Sequence, residues 1–160
     1  MRNWGKWTAP WRPSRAQREC AAYAWLAANG FSSPAHFACF ERRQAGFLAC
    51  AAVATSSIPG ISADRLLADS GPDQRARTAR DIGAFVRRLH RAGFRDRNLD
   101  LRNLIVDGDR ITKIDSPRHR IVRPGRRDDA LARADWARLL PQLEEFGGAH
   151  AAEAAREVER

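Results

Sequence analysis

The chain has 160 residues, 44% of them hydrophobic, which is enough for one domain with a buried core. No apolar run approaches the roughly 18 residues of a membrane-spanning helix, so the composition excludes an integral helical membrane protein. The net charge of +9 comes almost entirely from arginine and favours anionic partners, such as nucleotides, phosphorylated sugars, nucleic acid or anionic lipid.

Residues 1–13 combine tryptophan and proline with basic side chains. We expect this segment to be irregular or a short strand, and to cover the open edge of a neighbouring sheet through its rings. Contact with a membrane interface is the alternative. The segment lacks the apolar centre of a signal peptide, which predicts a cytoplasmic protein, with peripheral contact at the inner membrane as an extension of that prediction.

A helix is predicted from Ser14 to the Asn29-Gly30 pair, with Gln17 completing a capping box. Two apolar runs, 36–41 and 46–55, predict an antiparallel hairpin. The three cysteines, Cys20, Cys39 and Cys50, lack metal-ligand or disulfide spacing and are expected to be small, buried or half-buried residues.

The segment Ser56–Gly60 is a linker, and it divides the chain into a first unit, residues 1–60, and a second unit, residues 61–160. The second unit is predicted to be mainly helical. Its helices are expected over 62–69, 73–91, 128–146 with a bend at Pro141, and 149–160.

The most distinctive segment follows the helix predicted over 73–91. A polar loop, 96–103, leads into an apolar strand, a turn at Asp107-Gly108-Asp109, and a second strand that ends at Asp115. This order places Asn103 and Asp115 at neighbouring ends of a hairpin. The sequence therefore predicts that both side chains face one divalent cation.

The residue pattern of this segment resembles that of the lipopolysaccharide kinase family, whose members phosphorylate Kdo or heptose sugars of the lipid A core. The resemblance rests on Leu89–Gly93, on Asn98–Val106 and on Lys113–Asp115, and more weakly on Ser14–Glu19. It implies an α+β, protein-kinase-like fold. An incomplete small lobe, made of a helix and an antiparallel hairpin, would join a mainly helical large lobe that carries a catalytic-loop β-hairpin.

The resemblance also implies the cofactors and their ligands. ATP and Mg²⁺ are expected, with Asp115 and Asn103 matching the two metal-binding positions. Glu19 matches the helix acid that pairs with the nucleotide-binding lysine, and Lys6 is the lysine available for that role. The segment 53–60 matches the hinge whose backbone binds adenine.

The sequence departs from the family pattern at the catalytic base. The family loop has an aspartate five residues before its asparagine and a histidine two residues before that aspartate. This chain has Asn98 at the aspartate position and Asp96 at the histidine position. An amide cannot take a proton at neutral pH, so Asp96 and Asp100 are candidate substitutes for the base. No glycine-rich loop precedes the first helix, and a true start further upstream would restore one.

Three functions follow from these observations. The first is a phosphotransferase acting on a sugar or a lipid-linked, anionic sugar, with reduced activity. The second is a pseudokinase that binds partners without turnover. The third, an arginine-driven nucleic-acid binder, is motivated only by charge and ranks last, because the sequence shows no nucleic-acid-binding motif.

Overall fold

The computed structural model describes residues 12–124 and 130–159, with side chains described as far as residue 156. Within these ranges the chain is an α+β protein with five α-helices and three small antiparallel sheets. The predicted secondary-structure class is therefore confirmed. The predicted covering segment at the amino terminus falls largely on residues 1–11, outside the described residues.

The first helix, α1 (Arg15–Ala28), begins as the sequence predicts. The Ser14 hydroxyl accepts from the Gln17 backbone, and the Gln17 side chain accepts from the Ser14 backbone, which completes the capping box. One face of α1 buries Ala22, Tyr23 and Leu26. The capping box therefore fixes the position of Arg15, the first residue of the helix.

A hairpin follows, made of β1 (Phe37–Gln44) and β2 (Phe47–Thr55). Its turn is shorter than the gap between the two predicted runs, because only Ala45 and Gly46 lie between the strands, both with positive φ (48° and 81°). A register shift between Arg42 and Arg43 leaves one extra residue, Ala49, on β2, so β2 is one residue longer than β1. The hairpin packs on α1 and leaves β2 exposed along its length.

The exposure of the hairpin corrects one prediction. Cys20 is buried on α1, but Cys39 and Cys50 on the hairpin are exposed, so the expectation of buried or half-buried cysteines is wrong for those two. The apolar run of β2 suggested burial, yet the packing of α1 on the hairpin leaves every residue of β2 exposed in the described part of the chain. Burial raises the pKa of the Cys20 thiol to about 11, and the nearby Cys39 thiol adds to this shift.

The helical part comprises α2 (Ala63–Asp69), α3 (Pro72–Ala92), α4 (Ala130–Gly147) and α5 (Ala149–Glu159). The predicted stripe on α3 is buried, with Ile82, Phe85, Val86 and Leu89 in the core. Pro141 lies inside α4 as predicted. α3 packs along α5 and α4, and these helices form the base on which the loop–hairpin segment sits.

The remaining strands position the polar loop. The predicted hairpin forms from β5 (Leu104–Asp107) and β6 (Arg110–Lys113), and the two-residue β3 (Ile61–Ser62) pairs with β5 immediately after the linker. Two strands were not predicted: β4 (Phe94–Asp96) and β7 (His119–Ile121), which pair antiparallel on either side of the loop–hairpin segment. The division into units at residue 60 stays a prediction.

Gly93 makes the close approach of β4 and β7 possible. It ends α3 with φ +96°, and a Cβ atom there would lie 2.3 Å from the carbonyl oxygen of Val122. Its own carbonyl accepts from the Val122 backbone N–H at 2.9 Å. Only glycine combines this backbone conformation with so near a neighbour, so Gly93 sets the start of the polar loop.

Candidate active site

A buried ion pair anchors the start of the polar loop. Asp96 is 1% exposed and lies at the end of β4, and Lys113, which is fully buried, ends β6. The Lys113 Nζ lies 2.8 Å from the Asp96 Oδ2, and the Ser116 hydroxyl donates to the same oxygen at 3.0 Å. The Asn98 backbone N–H donates to the other oxygen of Asp96 at 2.9 Å. A buried carboxylate needs such partners, and these tie the loop to the far side of the hairpin.

A second buried acid, Asp135 on α4, supports the start of the polar loop. The carboxylate of Asp135 on α4 accepts from the Asp96 backbone N–H at 3.0 Å and contacts the His90 Nε2 at 3.1 Å. Burial raises the pKa of Asp135, while the contact with His90 acts against that shift. The His90 side chain thus contacts an acid of another helix.

The two predicted metal ligands meet at Asn98. The Asn98 Nδ2 donates to the Asp115 Oδ2 at 2.9 Å and to the Asp115 carbonyl at 3.0 Å. The Asn103 Nδ2 points to the Asn98 carbonyl at 3.4 Å, and the Asn103 carbonyl accepts from the Ile114 N–H at 2.9 Å. Asn98, Asn103 and Asp115 thus form one polar cluster at the end of the β5–β6 hairpin.

Asp115 has an unusual backbone conformation. Its φ is +52°, which places a non-glycine residue in the left-handed region. Aspartate tolerates this region better than most residues, but the conformation still costs free energy. The surrounding contacts hold it, and they turn the carboxylate toward Asn98 on one side and toward α1 on the other.

Asp100, the other candidate base, is held by an ion pair within the loop. It caps a short 3₁₀ turn, Leu101–Asn103, and both of its oxygens accept from the Arg102 guanidinium at 2.9 Å. The hydrogen bond from Arg102 holds the pKa of Asp100 below its ordinary value. Asp100 is thus ion-paired with its neighbour, whereas Asp96 is buried, and neither has a carboxylate oxygen that is both exposed and unpaired.

A cleft of about 380 Å³ lies between α1, β2 and the segment around Asp115. Glu19 lines it and is 5% exposed, and both of its carboxylate oxygens lack a hydrogen-bond donor among the described residues. Burial and the neighbouring Glu19 raise the pKa of the Tyr23 phenol. The predicted partner of Glu19, Lys6, lies outside the described residues. The predicted hinge begins at the cleft, because Val53 and Thr55 line it.

The donor set of the polar cluster suits magnesium. Among the described residues, no group of three or more His, Cys, Asp or Glu side chains could hold a metal. Mg²⁺, however, binds through one or two carboxylates together with substrate phosphates and water. Asp115 supplies a carboxylate. Because the amide nitrogen of Asn103 faces Asn98, its oxygen is the atom available to a cation.

Three residues of this arrangement were not predicted as site residues: Lys113, Asp135 and Arg15. Two of them left a signal in the sequence, since Lys113 is a charge within an apolar strand and Asp135 is an acid on the apolar face of α4. Arg15 left none. Its Nη2 lies 2.7 Å from the Asp115 Oδ1, a contact between residues 100 positions apart.

Comparison with known protein families gives a match over most of the chain. Residues 7–158 match the model of APH, the phosphotransferase enzyme family. Proteins of this family have a protein-kinase-like fold, so the predicted fold is confirmed at that level. A search of curated proteins finds no match to this chain. The finer resemblance to lipopolysaccharide kinases stays a prediction, as do the roles of the individual site residues.

Proposed function

Because the chain belongs to the phosphotransferase enzyme family, we propose that its cleft binds ATP with Mg²⁺ and transfers phosphate to a sugar or a lipid-linked sugar. The observation that carries this proposal is the meeting of Asn98, Asn103 and Asp115 beside the cleft that Glu19 lines. When bound, Mg²⁺ would neutralise phosphate charge at Asp115 and Asn103. Phosphoryl transfer depends mainly on such positioning and charge stabilisation, which this cluster is suited to provide.

Some residues of the site position the loop, and others orient the metal-binding carboxylate. The buried Asp96–Lys113 pair and Asp135 hold the loop in place, and Asn98 orients the Asp115 carboxylate through its amide. Asn98 also occupies the position from which a base would accept the acceptor's proton. Since a general base contributes about 10²- to 10⁴-fold, transfer with an amide there would be slow.

The basic character of the segment after Asp115 supports an anionic acceptor. Arg118, Arg120 and Arg123 are exposed on and around β7. Arginine binds phosphate with paired hydrogen bonds, so a phosphorylated or lipid-linked sugar fits this segment better than a neutral one. A lipopolysaccharide core sugar is the acceptor class that we propose. In the part of the chain that the structure describes, no helix is long and apolar enough to cross a bilayer.

The proposal is tested by calorimetric titration with Mg·ATP. The Asp115→Ala variant should lose magnesium-dependent nucleotide affinity, whereas Asp109→Ala, an exposed acid at the turn end of the same hairpin, should bind as the unmodified protein does. Transfer to phosphorylated sugars is then followed with labelled ATP. Equal nucleotide affinity in Asp115→Ala and the unmodified protein would refute the proposal.

A binding module without turnover is the second candidate, and one observation favours it. Among the described residues of the loop, the Asn98 amide is engaged with Asp115, Asp96 is buried, and Asp100 is paired with Arg102. No loop carboxylate is then placed to accept a proton. This candidate predicts nucleotide binding with no transfer at high protein concentration. Any transfer that Asn103→Ala abolishes would rule it out.

A further inference from the structure

The structure places an arginine of α1 against the carboxylate predicted to hold the metal. The Arg15 Nη2 lies 2.7 Å from the Asp115 Oδ1, and the second oxygen, Oδ2, accepts from Asn98 at 2.9 Å. Both carboxylate oxygens therefore have partners inside the protein. The hydrogen bond and charge of Asp115 raise the pKa of Arg15, so the guanidinium stays charged throughout the working range of pH. A divalent cation that binds Asp115 therefore competes with the positively charged Arg15 for the same carboxylate.

The charge balance of the cleft shows why Arg15 matters to an anionic ligand. Among the described residues that line the cleft, the charged side chains are Arg15, Glu19 and Asp115, one positive and two negative. A polyphosphate that entered without a cation would be repelled by this net negative charge. Arg15 is the cation that these lining residues offer, and in the structure it is bound to Asp115.

The ion pair between Arg15 and Asp115 is open enough to solvent for a cation to replace Arg15. The side chains of Arg15 and Asp115 are 70% and 40% exposed, and ion pairs this open to solvent contribute little to stability. A doubly charged cation beside Asp115 competes effectively with a singly charged guanidinium. The displaced guanidinium stays tethered to the first turn of α1, at the wall of the same cleft, where phosphate oxygens offer it paired hydrogen bonds.

We propose that Arg15 is a phosphate-binding residue of the cleft, which Asp115 holds until a divalent cation takes that carboxylate and the guanidinium moves to the nucleotide's phosphates. This inference rests on the proposed function, because it needs a nucleotide in the cleft. It adds a residue to the site that the sequence motifs do not indicate. It also couples the two ligands, because a cation that binds Asp115 releases Arg15 to bind phosphate.

The exchange predicts opposite effects on two ligands. Arg15→Gln should weaken Mg·ADP binding by about 10- to 100-fold, the range for one hydrogen bond between charged groups. Adenosine, which carries no phosphate, should bind equally well to the variant and the unmodified protein. Mn²⁺ alone should bind the variant up to about fivefold more tightly, because the competing cation is gone.

The test is a set of calorimetric titrations with Mg·ADP, adenosine and Mn²⁺. Arg18→Gln is the matched control, since Arg18 is exposed on the same helix one turn away and does not line the cleft. Arg15→Lys should keep part of the Mg·ADP affinity, because it keeps the charge and loses the paired geometry. Circular dichroism verifies that each variant is folded.

The outcomes separate the inference from the proposed function. Unchanged Mg·ADP affinity in Arg15→Gln, with binding by the unmodified protein intact, overturns the inference alone. An equal loss of adenosine and Mg·ADP affinity also overturns it, since that pattern indicates a structural role. If the unmodified protein binds no Mg·ADP, both the inference and the proposed function fall. Loss confined to Mg·ADP, with tighter Mn²⁺ binding, supports the exchange.

Discussion

Replacing Asn98 with aspartate restores the acid that the family loop carries and sets it against Asp115. In the structure the Asn98 Nδ2 donates to the Asp115 Oδ2 at 2.9 Å. In Asn98→Asp that donor becomes a second carboxylate oxygen. The change removes a hydrogen bond to a charged group, which contributes about 1.5–3 kcal/mol. It adds a repulsion of about 4 kcal/mol for two charges about 4 Å apart at an effective dielectric constant near 20.

Part of this penalty is relieved. Arg15 faces the same carboxylate, and the new side chain can rotate toward solvent, because Asn98 is half-buried. We therefore expect Asn98→Asp to lower the free energy of unfolding by about 2–4 kcal/mol at pH 7 without divalent cations. Magnesium placed between the two carboxylates should restore much of that loss, so the variant should gain more stability from Mg²⁺ than the unmodified protein does.

The penalty should also depend on pH. Repulsion raises the pKa of the introduced carboxyl above its value in the unfolded chain, so the folded state takes up a proton more readily. A raised carboxyl pKa makes the penalty full at high pH and smaller as the pH falls through the folded value. The deficit of Asn98→Asp should therefore shrink between pH 7 and pH 5.

The assay is urea unfolding followed by circular dichroism, with EDTA or with magnesium, at both pH values. Asn29→Asp is the matched control: the Asn29 side chain also donates to a backbone carbonyl, and its replacement adds the same charge, but no carboxylate is among its bonded partners. The control should show no gain from magnesium. An Asn98→Asp variant that is as stable as the unmodified protein in EDTA at pH 7 would refute the contact with Asp115.

Two further predictions concern the supports of the site. Lys113→Met should cost about 3–5 kcal/mol in urea unfolding because it leaves the buried Asp96 charge unpaired, and adding Asp96→Asn should recover part of that loss; a double variant less stable than the single one would contradict the pairing. Gly93→Ala should cost more than Gly30→Ala in thermal unfolding, since both glycines have positive φ but only Gly93 has a backbone oxygen 2.3 Å from the added Cβ. Equal costs would show that the β4–β7 approach is looser than described.

The sequence was most informative where a pattern is local. The capping box of Ser14 and Gln17, the stripe on α3 and the β5–β6 hairpin all depend on residues a few positions apart, and all three formed as predicted. The placement of Asn103 and Asp115 near each other followed from the same logic, because a short hairpin brings its ends together.

The elements that the sequence did not reveal depend on contacts between distant residues. The strands β4 and β7 are only three residues long, and each is extended because it pairs with the other. No periodicity in the sequence therefore marks them. The exposure of Cys39 and Cys50 depends on which layer covers the hairpin, which the apolar run of β2 does not specify. The contact of Arg15 with Asp115 joins an exposed helix start to a loop, and it has no signature in either segment.

The central claim is that Asp115 and Asn103 together bind the cation that accompanies a nucleotide in this cleft. Its most direct test is a crystal structure with Mn²⁺ and a non-hydrolysable ATP analogue, with the metal located by anomalous scattering. We predict one peak in contact with an Asp115 carboxylate oxygen and the Asn103 amide oxygen, with the nucleotide's phosphates as further ligands. A nucleotide bound with its metal away from both side chains would contradict the claim.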